Sequence, residues 1–482
     1  MDAVSRLTPR LRNPRVPSPT PAAMSLLVPL MLFGWIPFAI AAFGMMPARK
    51  ATLVVVIGGW LFLPVASYKL PGIPDYTKVM AVGLGAALGI TLFAADRLRS
   101  LRFCKLDVPM FAWCLVPGIS SFANGHGLHD AISGILTHCV AWGIPYVVGR
   151  AMFRDSAALD QLARALFVGG LLYAPLCLYE VRMSPQLHAT FYGFAQHAFL
   201  QHVRMGGYRP LVFMQHGLMV GLWMSIATVC GLALWWRGGL QRLAGMSAGW
   251  LLLFLLAATV LCKSMGALVL LALGAAAVFA VRAAGKRVAI WVLVVVPVLF
   301  VFARVICDWQ ARGLIDLLLP HYPDRAQSIE FRISSEQAFM PGIWQRPWFG
   351  WSAWSFTPAS PDPDDPLHIA RDSYWLIASC CFGLVGLGLF FWVHLAPIVA
   401  VLRKLAIPEW TGRRSAGLCA LVVAVCMFVG DCLFNAMTNP VYTMALGGLT
   451  SFAVGLVARP ALAAVRTGQR QPPWMRHAVS PP

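Results

Sequence analysis

Five cationic side chains and one carboxylate lie where charge is expensive. Arg204 and Arg209 precede an apolar run in RMGGYRPLVFMQHGLMVGLW, and Lys263 sits between two apolar runs in LCKSMGALVLL. Arg332 lies in EFRISSEQAFMPGIWQRPWFGWS, and Arg371 and Asp372 enter ARDSYWLIASCCFGLVGLGLF. An ionised group in or beside a membrane span needs a partner or a ligand. Arginine forks grip phosphate oxygens bidentately, whereas lysine acts as a point charge. Several such cations converging at one mouth suit a lipid-linked diphosphate. The competing reading is snorkelling at the membrane interface, or local pairing with Glu336 and Asp372.

His216 follows Arg209 by seven residues, so on one helix the two share nearly the same face. There it binds a ligand, orients Arg209, or is a satisfied core histidine. His188, His197 and His202 fit no tight metal spacing, and neither a metal nor a cofactor is expected. The run PDPDDP at 361–366 reads as a solvated, proline-stiffened turn rather than a divalent-cation site. Asp431 and Asn435, four apart, share a helix face and either bond a neighbouring helix or line a cavity. Glu180 and Arg182 end a span and are expected at the interface.

The elements that must position these groups follow from composition. Of 482 residues, 59% are hydrophobic and only 12% charged, against about 25% charged in soluble domains. That excludes a soluble globular enzyme and a disordered chain. Apolar runs fall at about 24–46, 51–67, 79–95, 108–122, 131–149, 163–180, 211–236, 246–262, 266–281, 288–306, 374–400, 416–434 and 440–458. The predicted fold is all-α: a polytopic membrane helical bundle of 12 or 13 spans with a large periplasmic loop. The 12 cysteines contain no CxxC pair and read as small buried hydrophobes.

The net charge of +19 is distributed in bursts between apolar runs, without a basic face interleaved with exposed aromatics, which argues against nucleic acid. Alternate connections, from Arg49/Lys50 to the tail beyond Arg459, hold 22 of the 38 basic residues, so the positive-inside rule places them and the C-terminus in the cytoplasm. Strict alternation then leaves the basic tail 1–23 outside. Three explanations stay open: the first run bends back at Gly34–Pro37, translation starts at Met24, or the tail breaks the rule.

Domain limits follow. A polar tail spans 1–23, and the first part of the bundle 24–306 includes an external loop at 181–210. A cap covers 307–373, the last part of the bundle 374–458, and a cytoplasmic tail 459–482. The cap holds nine of the 19 acidic residues and is rich in tryptophan, including Trp344, Trp348, Trp351 and Trp354. A disordered linker is not so aromatic, and short helices lying on the membrane face are expected. Trp348 and Trp351 are candidates for stacking on sugar rings, with ordinary cap packing as the alternative.

Several segments, over roughly residues 200–400, resemble the O-antigen ligase and O-antigen polymerase superfamily of bacterial envelope proteins. YRPLVFMQHGLMVGL resembles the family's Arg before a span followed by Asn or His. LCKSMGALVLLALG resembles its span start, RISSEQAFMPGIWQRPWFGW its large periplasmic loop, and DSYWLIASCCFGLVGLGLF its entry to the next span. The resemblance implies a multi-pass protein of the bacterial inner membrane that handles glycans on undecaprenyl diphosphate at the periplasmic face. It implies that Arg209, Lys263 and Arg332 contact the diphosphate; Arg204, His216 and Arg371 are substrate-binding candidates on their placement alone. The implied partners are a polyprenyl-diphosphate-linked glycan donor, a glycan acceptor, membrane lipid and other polysaccharide assembly proteins.

Where the ligases have His followed by Asn or Ser, this chain has Asp372–Ser373. A carboxylate can accept a hydroxyl proton, so Asp372 replaces the histidine, with His368 as a second candidate. That change favours exopolysaccharide or O-chain polymerisation over lipid A ligation. The alternatives are a transporter of an anionic glycolipid or small anion, marked by discontinuous helices in paired repeats, and a non-catalytic assembly subunit.

Overall fold

A computed structural model describes residues 25–70, 74–204, 206–284, 287–352 and 372–468. All thirteen apolar runs hold helix. The first six runs contain α1 (Leu27–Met45), α2 (Ala48–Leu53) continuing through a π turn into α3 (Gly59–Phe62), α4 (Lys78–Phe93) with the short α5 (Ala95–Arg99), α6 (Val108–Ala123), α7 (Gly127–His138) joined by a second π turn to α8 (Ile144–Met152), and α9 (Ser156–Met183). The short α10 (Leu187–Tyr192) precedes α11 (Gly217–Trp236), α12 (Ala248–Leu261), α13 (Met265–Ala284) and α14 (Val288–Val305). Two cap helices follow, α15 (Arg312–Leu318) and α16 (Pro323–Gln345). The chain finishes with α17 (Tyr374–Lys404), the short α18 (Ile407–Thr411), α19 (Ala416–Asp431) and α20 (Pro440–Gly468). Among the described residues the strands, two residues each, form three antiparallel pairs: β1 (Ser67–Tyr68) with β2 (Tyr76–Thr77), β3 (Val203–Arg204) with β4 (Gly207–Tyr208), and β5 (Arg242–Leu243) with β6 (Met246–Ser247).

Seven helical stretches are long and apolar enough to cross a membrane, and five more apolar helices are shorter. α11 and α19 are apolar all round and buried on almost every side, which is how a helix at the centre of a bundle must read. Only a minority of the residues of α1, α7 and α14 are buried, and the exposed ones include large apolar side chains such as Leu30, Phe33, Leu299 and Phe302. Water would not tolerate so much exposed apolar surface on a monomer, and a bilayer does. The protein is a helical membrane protein. Close crossings depend on small residues: a Cβ on Gly149 of α8 would lie 1.9 Å from the Met444 carbonyl oxygen of α20.

The basic connections are bonded to one another at one end of the bundle. Arg49 pairs with Asp155 at 2.7 Å, Arg150 with Asp107 at 2.8 Å, Arg164 donates to the Gly239 carbonyl at 2.7 Å, and Arg237 to that of Trp410 at 2.6 Å. α1 starts at the opposite end, where the Ser25 amide donates to the Tyr192 carbonyl at 3.1 Å. α1 runs unbroken through Gly34 and Pro37, so the first run does not bend back there. The tail 1–23 lies outside the described residues.

Three elements differ from expectation. The cap contains a 23-residue helix, α16, rather than only short ones. α17 is not one rod: Gly383 has φ +65° and ψ −166°, and the chain reverses there. Residues 374–382 form one arm and 384–404 the other. A reversal of this kind demands positive φ, which glycine alone adopts freely. The last helix also continues to Gly468, beyond the 458 expected from hydropathy.

Candidate functional site

Two polar clusters occupy the end of the bundle opposite the bonded basic connections. The first is built on the turn before α11. Glu180, near the end of α9, is buried and accepts the amides of Leu187 (2.9 Å), Leu211 (2.8 Å) and Val212 (2.7 Å). It is therefore a buried anchor for the turn, not an interfacial group. The Tyr173 hydroxyl accepts the Phe213 amide at 2.9 Å, and Val212 turns the chain with φ +51°.

This turn delays the helix until Gly217. Arg209 and His216 consequently do not share a helix face, contrary to the spacing argument. His216 instead caps α11, its Nδ1 accepting the Leu218 amide at 3.1 Å. The fold still brings the two together. The Arg209 side chain lies against Gly217, where a Cβ would stand 2.3 Å from Arg209 Cδ. Arg209 Nη2 donates to the Lys263 carbonyl at 3.4 Å across 54 residues of sequence. Lys263 occupies the tight α12–α13 connection with φ +53°, and its Nζ reaches Gly207 in β4.

Three imidazoles meet beside these cations. The ring centroids of His197 and His216 are 5.0 Å apart, those of His197 and His202 5.6 Å, and those of His202 and His216 6.3 Å. Burial lowers all three pKa values. For His202, His197 and then Arg209 and Arg204 push further, to about 4; for His216, the order after burial is His197, Arg209, His202 and Arg204, and the value falls to about 3. Arg204 itself is exposed on β3. Sequence spacing gave no sign of this convergence, because a hairpin, a turn and a helix cap create it.

The second cluster joins the cap to the bundle. Arg304, at the end of α14, is fully buried and pairs with Glu336 of α16 at 3.2 Å. Arg304 also donates to the Ile333 carbonyl at 3.1 Å, and the Ser373 hydroxyl donates to Glu336 at 2.6 Å. Burial raises the Glu336 pKa, opposed by the Ser373 hydrogen bond and by Arg304. Glu336 thus bonds Arg304 and Ser373, and the charge of Arg332, one of the candidate cations of the cap, also favours its ionised form. Arg304 was not anticipated; a lone Arg at the end of an apolar run looks like any interfacial residue.

Arg332 points to the end of α19. Its Nη1 donates to the Phe434 carbonyl and to Asn435 Oδ1, the latter at 3.3 Å. Asn435 in turn donates to Asp431 at 2.6 Å, and both are buried. Asn435 therefore links Arg332 to Asp431. Asp372 is exposed, one residue before Ser373. Arg371, His368 and PDPDDP lie outside the described residues.

The cap aromatics divide. Trp351 is half-buried: its Nε1 donates to the Gly342 carbonyl at 2.7 Å, and the Arg346 guanidinium sits 4.5 Å above its ring. Trp348 is 67% exposed and lines a depression of about 260 Å³ with Ala123, Arg346, Pro347, Phe349 and Gly350.

The segment 347–352 plugs the reversal in α17. The Trp351 and Ser352 amides donate to the Cys380 and Cys381 carbonyls at 2.8 and 2.9 Å. The Leu384 and Val385 amides donate to the Pro347 and Trp348 carbonyls at 2.6 and 3.3 Å. Ser120 of α6 donates to the Phe349 and Cys381 carbonyls, at 2.6 and 2.8 Å. Backbone groups exposed by the reversal are thus satisfied within the protein, as membrane depth requires.

No protein-family model matches the chain, and no curated protein does either.

Proposed function

We propose that the protein is a metal-independent glycosyl transferase of polymerase or ligase type, acting on polyprenyl-diphosphate-linked glycans. In this reading it crosses the bacterial inner membrane 12 or 13 times with its C-terminus in the cytoplasm. The cap and both polar clusters face the periplasm. An acceptor hydroxyl attacks the anomeric carbon, the bond from that carbon to the diphosphate oxygen breaks, and the lipid diphosphate leaves with the electron pair. Arg209 and Lys263 stabilise the charge growing on the leaving group, the kind of electrostatic assistance that dominates many transfers. Arg332 contributes from the cap side, held by Asn435. Asp372 takes the hydroxyl proton.

The observation that carries this reading is the meeting of Arg209 and Lys263, distant in sequence, beside three imidazoles at one end of the bundle. The broken helix α17 does not favour a transporter, because the plug satisfies backbone groups that a transporter leaves for its substrate. The test is purified protein with a polyprenyl-diphosphate oligosaccharide and a glycan acceptor. Elongated product and released lipid diphosphate are expected, with a loss of at least ~100-fold in Arg209→Ala. Movement of the lipid across vesicles without new glycosidic bonds overturns the reading.

A further inference from the structure

The imidazole cluster carries an inference of its own. His202 is 2% exposed, and neither of its ring nitrogens has a hydrogen-bond partner among the described residues. A buried donor and acceptor left unmatched are costly unless something binds them. The other two rings are fixed in orientation. His197 Nδ1 accepts the Ala198 amide at 2.9 Å, and His216 Nδ1 accepts the Leu218 amide at 3.1 Å. A neutral imidazole that accepts at Nδ1 carries its proton on Nε2. Both rings therefore present Nε2–H donors.

A metal would need lone pairs at those nitrogens instead. Among the described residues no group of three His, Cys, Asp or Glu side chains is arranged to hold one. The carboxylate that holds the adjoining turn, Glu180 of α9, is engaged by three backbone amides. Among the described residues the charges beside the three rings, Arg204, Arg209 and Lys263, are positive. A site lined by donors and cations selects an anion rich in acceptor oxygens.

We propose that His197, His202 and His216 form a neutral N–H donor cluster that binds a phosphoryl oxyanion beside Arg209. This deepens the transferase reading and rests on it for the natural source of the anion, a lipid diphosphate. The chemistry is shared by free diphosphate. Neutral donors hold a phosphoryl group without adding full charges to an already cationic site.

The test is isothermal titration of the full-length protein in nanodiscs with inorganic diphosphate, and separately with polyprenyl diphosphate. His202→Leu removes the buried donor, and His202→Gln restores an N–H. His216→Asn keeps an acceptor to cap α11 but lacks the Nε2–H. Thermal unfolding checks that each variant folds. Affinity is expected to fall at least tenfold in His202→Leu and in His216→Asn, and to recover by more than half in His202→Gln. Binding confined to the polyprenyl form, with the same histidine dependence, supports the proposal and identifies a lipid source. Wild-type affinity in folded His202→Leu and His216→Asn overturns it. If Arg209→Ala then still loses binding, the transferase reading stands without the imidazoles. If Arg209→Ala also binds normally, or if the wild type binds neither ligand, both fall.

Discussion

The rings of Tyr374 and Phe390 lie 5.1 Å apart although sixteen residues separate them within α17. A straight helix would hold them about 24 Å apart. The two arms that meet at Gly383 therefore fold against each other. The Tyr374 amide donates to the Cys432 and Asn435 carbonyls at 3.0 and 3.1 Å, so the first arm starts at the end of α19. Its nine residues, 374–382, rise roughly 13 Å to the reversal. Glu336, Ser373 and Asn435 consequently sit recessed beneath the plugged apex.

That geometry makes Gly383 intolerant of a side chain. A Cβ there would lie 2.4 Å from the Trp348 carbonyl carbon and oxygen, at positive φ. Gly383→Ala is expected to destabilise by on the order of 3 kcal/mol or more. Thermal unfolding in detergent should show a clear drop in Tm. An unchanged midpoint would mean that the arms do not reverse here.

The buried pair Arg304–Glu336 predicts a non-additive series. Glu336→Ala leaves Arg304 charged and buried without its carboxylate, at a cost of about 3–5 kcal/mol. The double variant Arg304→Met, Glu336→Leu removes both charges and should be distinctly more stable than Glu336→Ala alone. A double variant no better than the single one would place the stabilisation elsewhere.

Stability should fall as the medium is acidified. His188, His202 and His216 have pKa values lowered from 6.5 to about 4, 4 and 3, chiefly by burial. Below pH 6.5 the unfolded chain takes up protons that the folded protein refuses, so stability is lost as pH drops toward about 4. Nothing is gained or lost from these groups well above 6.5. A Tm series from pH 8 to pH 4.5 should be flat and then descend by several degrees, less steeply in His202→Leu. A flat series throughout would contradict the burial of these rings.

In the transferase reading Asp372 acts on a proton and not on binding. Asp372→Asn is then expected to lower kcat by roughly 100-fold or more, with little change in KM. The pH–rate profile should lose its acidic limb. Retention of both would assign the proton to another group.

How far the sequence could be read depends on the range of the interaction involved. Apolar runs of span length fixed the helices, because in lipid every backbone group must be satisfied along its own segment. The burial of α11 and α19 follows from their lack of a polar face, and the basic bursts marked the connections that the fold gathers at one end. Arg209 and Lys263 were visible as costly charges beside spans.

What only the tertiary structure decided are the meetings. His216 looked like a residue within a span, yet Glu180 holds the preceding turn and makes it a helix cap. His197, His202 and His216 converge only once β3, β4 and α11 are docked. Trp351 is indistinguishable from Trp348 by type, and Arg346 covers only one of them. The reversal at Gly383 was hidden in an uninterrupted apolar run. Hydropathy records what each residue prefers to touch, averaged over its neighbours in the chain. It carries no record of which distant backbone groups will fill a break, or of which polar atoms will share a buried site.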